Sequence, residues 1–146
     1  MLYLLSMFYG LMIGNYLTSA YFRIPRLIPI NGINNKLGKA PHCSTCKHKL
    51  KFYEYLPLLN WFSTRFKCNY CHAPIDWIYM FLEVTMTVIS LILYEIMEMT
   101  PEFGLSVLVA ASILLNITLF FNYRKIYPKA IFFLLVTGLS LTYLMF

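Results

Sequence analysis

Residues 43–71 read CSTCKHKLKFYEYLPLLNWFSTRFKCNYC, and the two ends of this stretch carry the four cysteines of the chain. Cys43 and Cys46 form one C-x-x-C knuckle and Cys68 and Cys71 form a second, with twenty-one residues between them. Two residues between cysteines allow a tight turn that aims both sulfurs at one centre, and Zn²⁺ binds four thiolates tetrahedrally. The separation is one residue more than the usual upper limit of about 20 for such a site. The pattern predicts a four-cysteine zinc site, and two disulfides or four unligated thiols are the alternatives.

The rest of the chain is strongly apolar. Of its 146 residues, 60% are hydrophobic and only 12% are charged, and the mean hydropathy is +0.64. This composition excludes a soluble domain and is typical of a membrane protein. The net charge of +6 does not indicate nucleic-acid binding, because the basic residues lie in loops between apolar runs and not on one face of a polar domain.

Four apolar runs are long enough to cross a bilayer as helices, at residues 1–22, about 77–94, about 104–121 and about 130–146. The positive charge near the first run follows it, at Arg23 and Arg26, whereas a secretory signal peptide has its charge before the apolar core. We therefore predict a retained helix, with a signal peptide as the alternative. Gly10 and Gly14 in this helix form a small-xxx-small ridge that favours close packing of a second helix.

A long loop, residues 23–76, separates the first two predicted helices and contains both knuckles. It is rich in proline and glycine, which break any long helix. We predict a zinc-ribbon-like loop with the knuckles on short hairpins, and we expect the metal to supply much of its folding energy. His42, His48 and His72 lie beside the knuckles. Each could replace a cysteine as ligand or hydrogen-bond to one, and each could equally be a solvated loop residue.

The basic residues predict the orientation in the membrane. All twelve fall in two of the three loops between the apolar runs: Arg23, Arg26, Lys36, Lys39, Lys47, Lys49, Lys51, Arg65 and Lys67 in the first, and Arg124, Lys125 and Lys129 in the third. The positive-inside rule places both loops in the cytoplasm and both termini outside. A cytoplasmic loop is in a reducing compartment, where metal sites are more frequent than disulfides. The predicted fold class is an all-α polytopic membrane protein with four transmembrane helices and a cytoplasmic zinc-ribbon-like loop.

Glu83 is the one charged residue of the second apolar run. A carboxylate inside a membrane helix is costly, and such residues usually face a cavity or a partner. The alternative is a position close enough to the membrane surface for the carboxylate to remain hydrated. The sequence leaves these two interpretations open.

The order of motifs resembles the type IV prepilin peptidases, bifunctional membrane enzymes of bacteria. Their opening G-x-x-I-G-S-F-L-N helix and following R-x-P are similar to residues 10–17 and 23–25. Their I-P-x-x-S-W segment resembles residues 56–61, which read LPLLNW. Their R-Y-P-x-x-E resembles residues 78–83, which read IYMFLE, and the two C-x-x-C pairs lie in the same order, with Lys67 as the basic residue before the second pair.

The resemblance implies a function in the processing of prepilins. Members of this family cleave the prepilin leader at the cytoplasmic side and then methylate the new N-terminus with S-adenosylmethionine. The cysteine-bearing loop is associated with methylation and with zinc. Two aspartates cleave the leader, and the first would fall near Asn122; the later G-x-G-D motif has no counterpart here. The family's glycine before the basic residue is Phe66, and the proline within the first knuckle is Ser44.

We therefore expect the zinc- and methylation-associated half of a prepilin-processing protein in the bacterial inner membrane. Aspartic endopeptidase activity is not expected from this chain alone, because its one aspartate is Asp76 and a pair is needed. If active, the chain would be an N-methyltransferase with S-adenosylmethionine as cofactor and Lys67 and Glu83 as candidate catalytic residues. The expected partners are a prepilin-like substrate and a separate peptidase subunit. The alternatives are a non-catalytic scaffold of a pilus or type II secretion-like system, or a degenerate peptidase.

Overall fold

The computed structural model describes residues 1–28, 42–51, 54 and 65–145, and within them the chain forms four α-helices. These are α1, Leu2–Arg23; α2, Trp77–Met97; α3, Pro101–Tyr123; and α4, Pro128–Met145. The helical fold class agrees with the sequence prediction. The helices exceed the apolar runs by several residues, because charged and polar residues such as Glu95 continue the helical backbone beyond the apolar part of α2.

The first two helices pack antiparallel along most of their length. Ser6 and Ser90 are fully buried and exchange hydrogen bonds, since each hydroxyl donates to the other residue's backbone carbonyl, at 3.0 and 2.9 Å. Further along, Gly10 faces Met86 and Thr87. This contact confirms the close helix packing that the glycine ridge of α1 predicts, because small residues let two helix backbones approach.

Short links join the last three helices. Thr100 caps α3, its hydroxyl accepting a hydrogen bond from the amide of Phe103, and Pro101 follows at the first helical position, where its missing N–H costs nothing. Arg124 ends α3 in a left-handed conformation with φ of 52°. Because α3 begins at Pro101, only three residues separate it from α2, which forces the two helices to be neighbours.

The pairing of α3 with α4 depends on buried polar groups as well as apolar ones. The hydroxyls of Ser112 and Thr137 lie 3.3 Å apart across the interface. The side-chain amide of Asn116 donates to the backbone carbonyls of Ser112 and Ala130 at 2.9 and 3.1 Å. Carbonyls of its own helix and of α4 thus accept hydrogen bonds from the strongly polar side chain of the third apolar run, so Asn116 has a structural role here.

Two of the four helices, α2 and α3, are long and apolar enough to cross a membrane by length and composition. The sequence predicts four such spans. Tyrosine, serine and asparagine side chains make α1 less apolar than α2 and α3, and the apolar part of α4 is the shorter segment Pro128–Leu144. Glu83 is 5% exposed and lies where α2 packs against α1.

Candidate metal centre and adjoining cavity

The two cysteine knuckles fold as near copies of one small hairpin. An antiparallel bridge closes each one, between His42 and Lys49 in the first and between Lys67 and Pro74 in the second. In each, the amide of the first cysteine donates to the carbonyl five residues on, and the amide four residues on donates back to that cysteine's carbonyl. The residue four positions after the first cysteine is left-handed in both hairpins, with φ of 60° at Lys47 and 56° at His72. The predicted short hairpins are confirmed.

The hairpins bring all four sulfurs to one point. The Sγ atoms of Cys43, Cys46, Cys68 and Cys71 all lie within 4.8 Å of one another. An ion with metal–sulfur bonds of about 2.3 Å and tetrahedral geometry holds its sulfurs about 3.8 Å apart. The Cys43–Cys71 separation is 3.8 Å. The donor set therefore fits a tetrahedral thiolate-bound metal, and this is the metal-ligand cluster among the residues that the structure describes.

Backbone amides lower the pKa of one of these thiols, Cys43, and so favour the thiolate form that binds a metal. Burial acts to raise the pKa of Cys43, but hydrogen bonds from the amides of Cys46 and Thr45 outweigh it and lower the pKa to about 7. For Cys46 the amide of His48 acts to lower the pKa, but burial and the three neighbouring thiols raise it to about 11. A metal ion binds the thiolate form, so binding displaces the remaining protons.

A carboxylate that the sequence analysis did not single out organises the second knuckle. Glu54 is 2% exposed and accepts hydrogen bonds from the Lys51 amide at 2.7 Å, the Asn69 side-chain amide at 2.9 Å and the Tyr70 hydroxyl at 3.4 Å. Burial acts to raise the pKa of Glu54, but these donors stabilise the ionised form and hold the pKa below its usual value. Asn69 and Tyr70 are the two residues inside the second C-x-x-C, so Glu54 fixes the turn that aims Cys68 and Cys71.

Phe66, immediately before Lys67, has a left-handed backbone with φ of 61°. Glycine adopts this conformation without cost, whereas a side chain with a Cβ is strained there by about 1–2 kcal/mol. The resemblance in the sequence places a glycine at this position. The chain thus keeps the backbone that a glycine would adopt, although the residue is Phe66.

A cavity of about 560 Å³ lies between the metal-ligand cluster and the helix pair α1–α2. One face of α1 lines it from Met12 to the residues just after the helix, and the start of α2 lines it from Asp76 to Glu83. Cys43 and Cys68, one from each knuckle, contribute to its loop-side wall. The cysteine cluster and the cavity are therefore parts of one site.

The two candidate catalytic residues, Lys67 and Glu83, both line this cavity, and the fold brings them together from loop and helix. Asn122 does not join them, since it lies in the last turn of α3 and donates to the carbonyl of Thr118 at 3.0 Å. His42 lines the cavity, whereas the ring of His48 lies 3.6 Å from that of Tyr70.

The segment of residues 56–61 that resembles the family's I-P-x-x-S-W lies outside the described residues. The motifs on either side of it are described, and they meet at the cavity. Cys43 and Lys67 come from the two knuckles, and Glu83 comes from α2. Motifs separated by up to forty residues in the sequence thus line a single cavity.

Comparison with known proteins identifies the family. The sequence profile described as the bacterial peptidase A24 N-terminal domain matches residues 8–97, more than half of the chain. A prepilin leader peptidase/N-methyltransferase of Myxococcus xanthus is 32% identical over 75 residues, which are 51% of this chain and 21% of that protein. A protein of the same name in Aeromonas hydrophila is 25% identical over 114 residues, 66% of this chain and 39% of that one.

The chain aligns with only part of each relative. A type 4 prepilin-like proteins leader peptide-processing enzyme of Escherichia coli is 23% identical over 115 residues, 70% of this chain and 42% of the enzyme. The chain therefore spans from about a fifth to about two fifths of the length of these relatives. No solved structure matches it. The matched profile covers α1, both knuckles and α2, and the chain belongs to the family of the bacterial peptidase A24 N-terminal domain.

Proposed function

We propose that this chain is the metal-bearing, methylation-associated module of a prepilin-processing system, and that it methylates the N-terminal amine of a pilin-like protein. The observation that carries this proposal is the cavity that Lys67 and Glu83 share with Cys43 and Cys68. Charged groups and metal-anchoring residues around one concave site are typical of a binding or catalytic centre. The names of the relatives supply the reaction class.

The membrane arrangement we propose has four crossings, with the cysteine loop and the α3–α4 link in the cytoplasm and both termini outside. The family and the apolar helices α2 and α3 support a membrane location. The distribution of all twelve basic residues supports the orientation. In bacteria this corresponds to the inner membrane, where the cytoplasmic end of the α1–α2 pair would meet a substrate at the membrane surface.

Zinc is the metal we propose for the four cysteines, and its role is structural. Four thiolates complete a tetrahedral shell and leave no position for a substrate. The two knuckles belong to distant parts of the loop, and binding one ion would lock them together. Since Cys43 and Cys68 also line the cavity, the ion would hold the cavity wall in place.

The residues of the cavity would catalyse methyl transfer chiefly by positioning. S-adenosylmethionine, when bound, supplies the electrophilic methyl group. The cavity walls would hold the substrate amine in line with that methyl group and exclude water, and such alignment accounts for much of the rate in reactions between two bound molecules. Both Glu83 and Lys67 line the cavity. In this proposal Glu83 would orient the amine and accept its proton, and Lys67 would bind an anionic part of a substrate.

We propose that these 146 residues do not cleave the prepilin leader themselves, and that a peptidase site outside them does so. Asp76, the one aspartate among these 146 residues, caps α2 by accepting a hydrogen bond from the amide of Ile78. The position nearest the family's first aspartate is Asn122, a carboxamide that cannot act as a base. A catalytic pair of aspartates shares a proton, and these residues do not provide such a pair.

A non-catalytic scaffold for a pilus or type II secretion-like machine is the second candidate. Phe66 favours it, because a bulky side chain precedes Lys67 where the resemblance places a glycine, and Phe66 is 47% exposed. In this case the metal-bound loop would bind a leader or an assembly partner without chemistry. A degenerate peptidase without any binding function is a third reading.

The test is a methylation assay on purified, zinc-loaded protein with labelled S-adenosylmethionine and two peptides. One peptide has the free N-terminus of a leader-free pilin, and the matched control has the same sequence with an acetylated N-terminus. An intact prepilin is assayed in parallel for cleavage. We expect methyl transfer to the free amine only, without cleavage of the prepilin.

The other outcomes separate the alternatives. Binding of the prepilin without methyl transfer would favour the scaffold. Neither binding nor transfer would favour the degenerate peptidase. Cleavage of the intact prepilin by these 146 residues would contradict the assignment of the peptidase site to residues outside them.

A further inference from the structure

We propose that the loop end of the molecule carries a membrane-surface anchor, in which Leu27, Phe66 and Ile126 insert between lipid headgroups and a nearby arginine binds anionic phosphate at each position. The anchor would hold the base of the second hairpin against the bilayer. This inference rests on the proposed membrane arrangement and adds to it a contact surface, with an anionic phospholipid leaflet as its partner.

The three anchor residues lie at one end of the helix bundle. The ring of Tyr21, near the end of α1, lies 6.0 Å from that of Tyr79 near the start of α2. It also lies 5.7 Å from the ring of Tyr123 at the end of α3. Because these helix ends meet, the segments that follow α1, precede α2 and follow α3 share one side of the molecule.

All three anchor side chains are large, apolar and exposed. Leu27 is 79% exposed, Phe66 is 47% exposed and Ile126 is 69% exposed. The backbones of Leu27 and Phe66 are also left-handed, with φ of 55° and 61°, a conformation that is strained for a residue with a Cβ. Strained residues are frequent where a protein contacts a ligand or a partner. The combination of strain and exposure therefore indicates a contact surface.

An arginine lies close to each anchor residue in the sequence. The pairs are Arg26 with Leu27, Arg65 with Phe66, and Arg124 with Ile126. The three arginines are exposed. A guanidinium binds two phosphate oxygens at once, and basic residues near a bilayer are attracted to anionic lipids. The chemistry of these pairs thus matches a surface that is apolar just below a layer of phosphates.

The opposite end of the helices has the opposite charge. Residues 95–102 contain three glutamates and no basic residue. Met99, which is 39% exposed, directly follows Glu98. A carboxylate repels an anionic phosphate, so an exposed apolar side chain at this end is not paired with lipid in the same way. The anchor is therefore specific to one leaflet.

The second hairpin joins Phe66 to the start of α2. The carbonyl of Phe66 accepts a hydrogen bond from the amide of Ile75 at 2.9 Å, and α2 begins two residues later at Trp77. Trp77 is 64% exposed, and its ring lies 5.8 Å from that of Phe81. A tryptophan at the first turn of a membrane helix is typical of the headgroup layer. In the proposed arrangement Phe66 belongs to the same layer as Trp77.

The arrangement of the anchor residues favours a lipid leaflet over an acidic protein. Leu27 lies four residues after the end of α1, and Ile126 lies two residues before the start of α4. In a membrane bundle such positions lie at one depth, near the phosphates. A bilayer surrounds the bundle and contacts all three segments together, whereas a protein that binds one segment has no reason to require the other two.

The experiment measures the depth of single tryptophans in a bilayer. The two native tryptophans are replaced by phenylalanine, and Phe66→Trp is introduced into the zinc-loaded full chain in vesicles of phosphatidylcholine and phosphatidylglycerol. The lipids are brominated near the glycerol end of their acyl chains, since bromine quenches tryptophan fluorescence at short range. We expect quenching by these lipids. The matched control is Thr45→Trp, at an exposed position between the cysteines of the first knuckle, which aqueous acrylamide should quench instead.

Further variants repeat the test and examine the charge. Leu27→Trp and Ile126→Trp lie outside the hairpins, so they carry the test if Phe66→Trp lowers the zinc content. Arg65→Gln combined with Phe66→Trp should lower the ratio of inserted to non-inserted tryptophan about fivefold in vesicles with phosphatidylglycerol, and little in phosphatidylcholine alone. Lys47→Gln, which removes a positive charge from the first knuckle, is the control and should not lower this ratio.

The outcomes separate the anchor from the arrangement on which it rests. Absence of lipid quenching at all three positions, with Met99→Cys and Lys125→Cys labelled from opposite sides as proposed, would overturn the anchor and leave the topology standing. Protection from acrylamide by added polyglutamate and not by lipid would instead assign the surface to an acidic protein. Quenching that Arg65→Gln leaves unchanged would remove the role of the arginine. Reversed labelling would refute the membrane arrangement itself.

Discussion

Gly14 of α1 lies directly against the backbone of Glu83 on α2, and a Cβ added at Gly14 would come within 2.8 Å of the Cα of Glu83. A tight contact between the two helix backbones therefore coincides with the position of Glu83, which lines the cavity. Any side chain at Gly14 would have to push α2 away, because the obstructing atoms belong to backbone.

Gly14→Ala should consequently destabilise the helix pair by about 1–3 kcal/mol, the usual cost of overpacking, and should also displace Glu83. Unfolding in detergent by increasing denaturant measures the first effect. Gly138→Ala in α4 is the matched control, since an added Cβ there meets no atom within 4 Å. Equal stability of the two variants would show that the helices are not in the described contact.

Glu54→Gln should lower the affinity for zinc by about tenfold, because groups that hydrogen-bond next to metal ligands typically contribute tenfold to a hundredfold. The amide keeps the shape of the carboxylate but one of its two terminal atoms no longer accepts from Asn69 or Tyr70. Competition with a chromogenic chelator measures the affinity. Cys68→Ser serves as the reference for loss of a ligand, and Ser44→Ala in the first knuckle as the neutral control.

The lowered pKa of Glu54 predicts that the stability of the loop depends on pH. The pKa of Glu54 is lower in the folded protein than in the unfolded chain. Its stabilisation is therefore fully present above the ordinary glutamate pKa of about 4.3 and is lost as the pH falls through the lower folded value. Limited proteolysis should cleave the loop faster in Glu54→Gln than in the wild type, and this difference in cleavage rate should become smaller at acidic pH. A difference that widens on acidification would contradict this assignment.

Phe66→Gly should stabilise the loop by about 1 kcal/mol, because it relieves a left-handed backbone at a residue with a Cβ. Phe66→Ala is the informative control, since it removes the ring and keeps the strain. If the exposed ring also obstructs the cavity beside Lys67, both variants should raise methyl transfer. An increase with Phe66→Gly alone would instead assign the effect to the backbone.

A cysteine at Met99, in the link between α2 and α3, should react with an impermeant thiol reagent from outside the intact cell. Met99 is 39% exposed and follows the end of α2. A cysteine at Lys125, in the link on the opposite side, should react only after lysis. The reverse pattern would invert the proposed topology.

Asn122→Asp should not produce leader cleavage. The new carboxyl group would lie in the last turn of α3, and the one existing aspartate, Asp76, is already engaged as the cap of α2, where it accepts a hydrogen bond from the amide of Ile78. Incubation of the purified variant with an intact prepilin and analysis of the product masses provides the measurement. Cleavage would mean that another carboxylate of this chain completes the site.

The sequence was sufficient to predict the helices, the hairpins of the two knuckles and the clustering of the four cysteine sulfurs. Apolar runs and C-x-x-C spacing are local signals, and each constrains its own segment. The glycine ridge also indicated the tight helix contact, although only the structure identifies Glu83 as the residue opposite Gly14.

The missed residue, Glu54, illustrates what local signals omit. Its partners Asn69 and Tyr70 lie fifteen and sixteen residues away and no spacing rule connects them. The signal available was a glutamate in a loop with seven basic residues before it and two after it, and this pattern predicts only a general electrostatic attraction to those residues. The cavity was equally inaccessible, because it exists only where α1, α2 and the loop come together.

The near contact of Tyr21 and Tyr79, with ring centroids 6.0 Å apart, means that the chain leaves α1 and returns to α2 at adjacent points. The whole cysteine loop is thus an insertion into a helical hairpin that would close without it. Because the entropy of closing a loop grows only slowly with its length, the insertion costs the hairpin little. It follows that the loop could be excised or grafted between relatives as a unit, and that the helical hairpin and the cysteine-bearing insert could diverge independently, restrained only by the cavity they share.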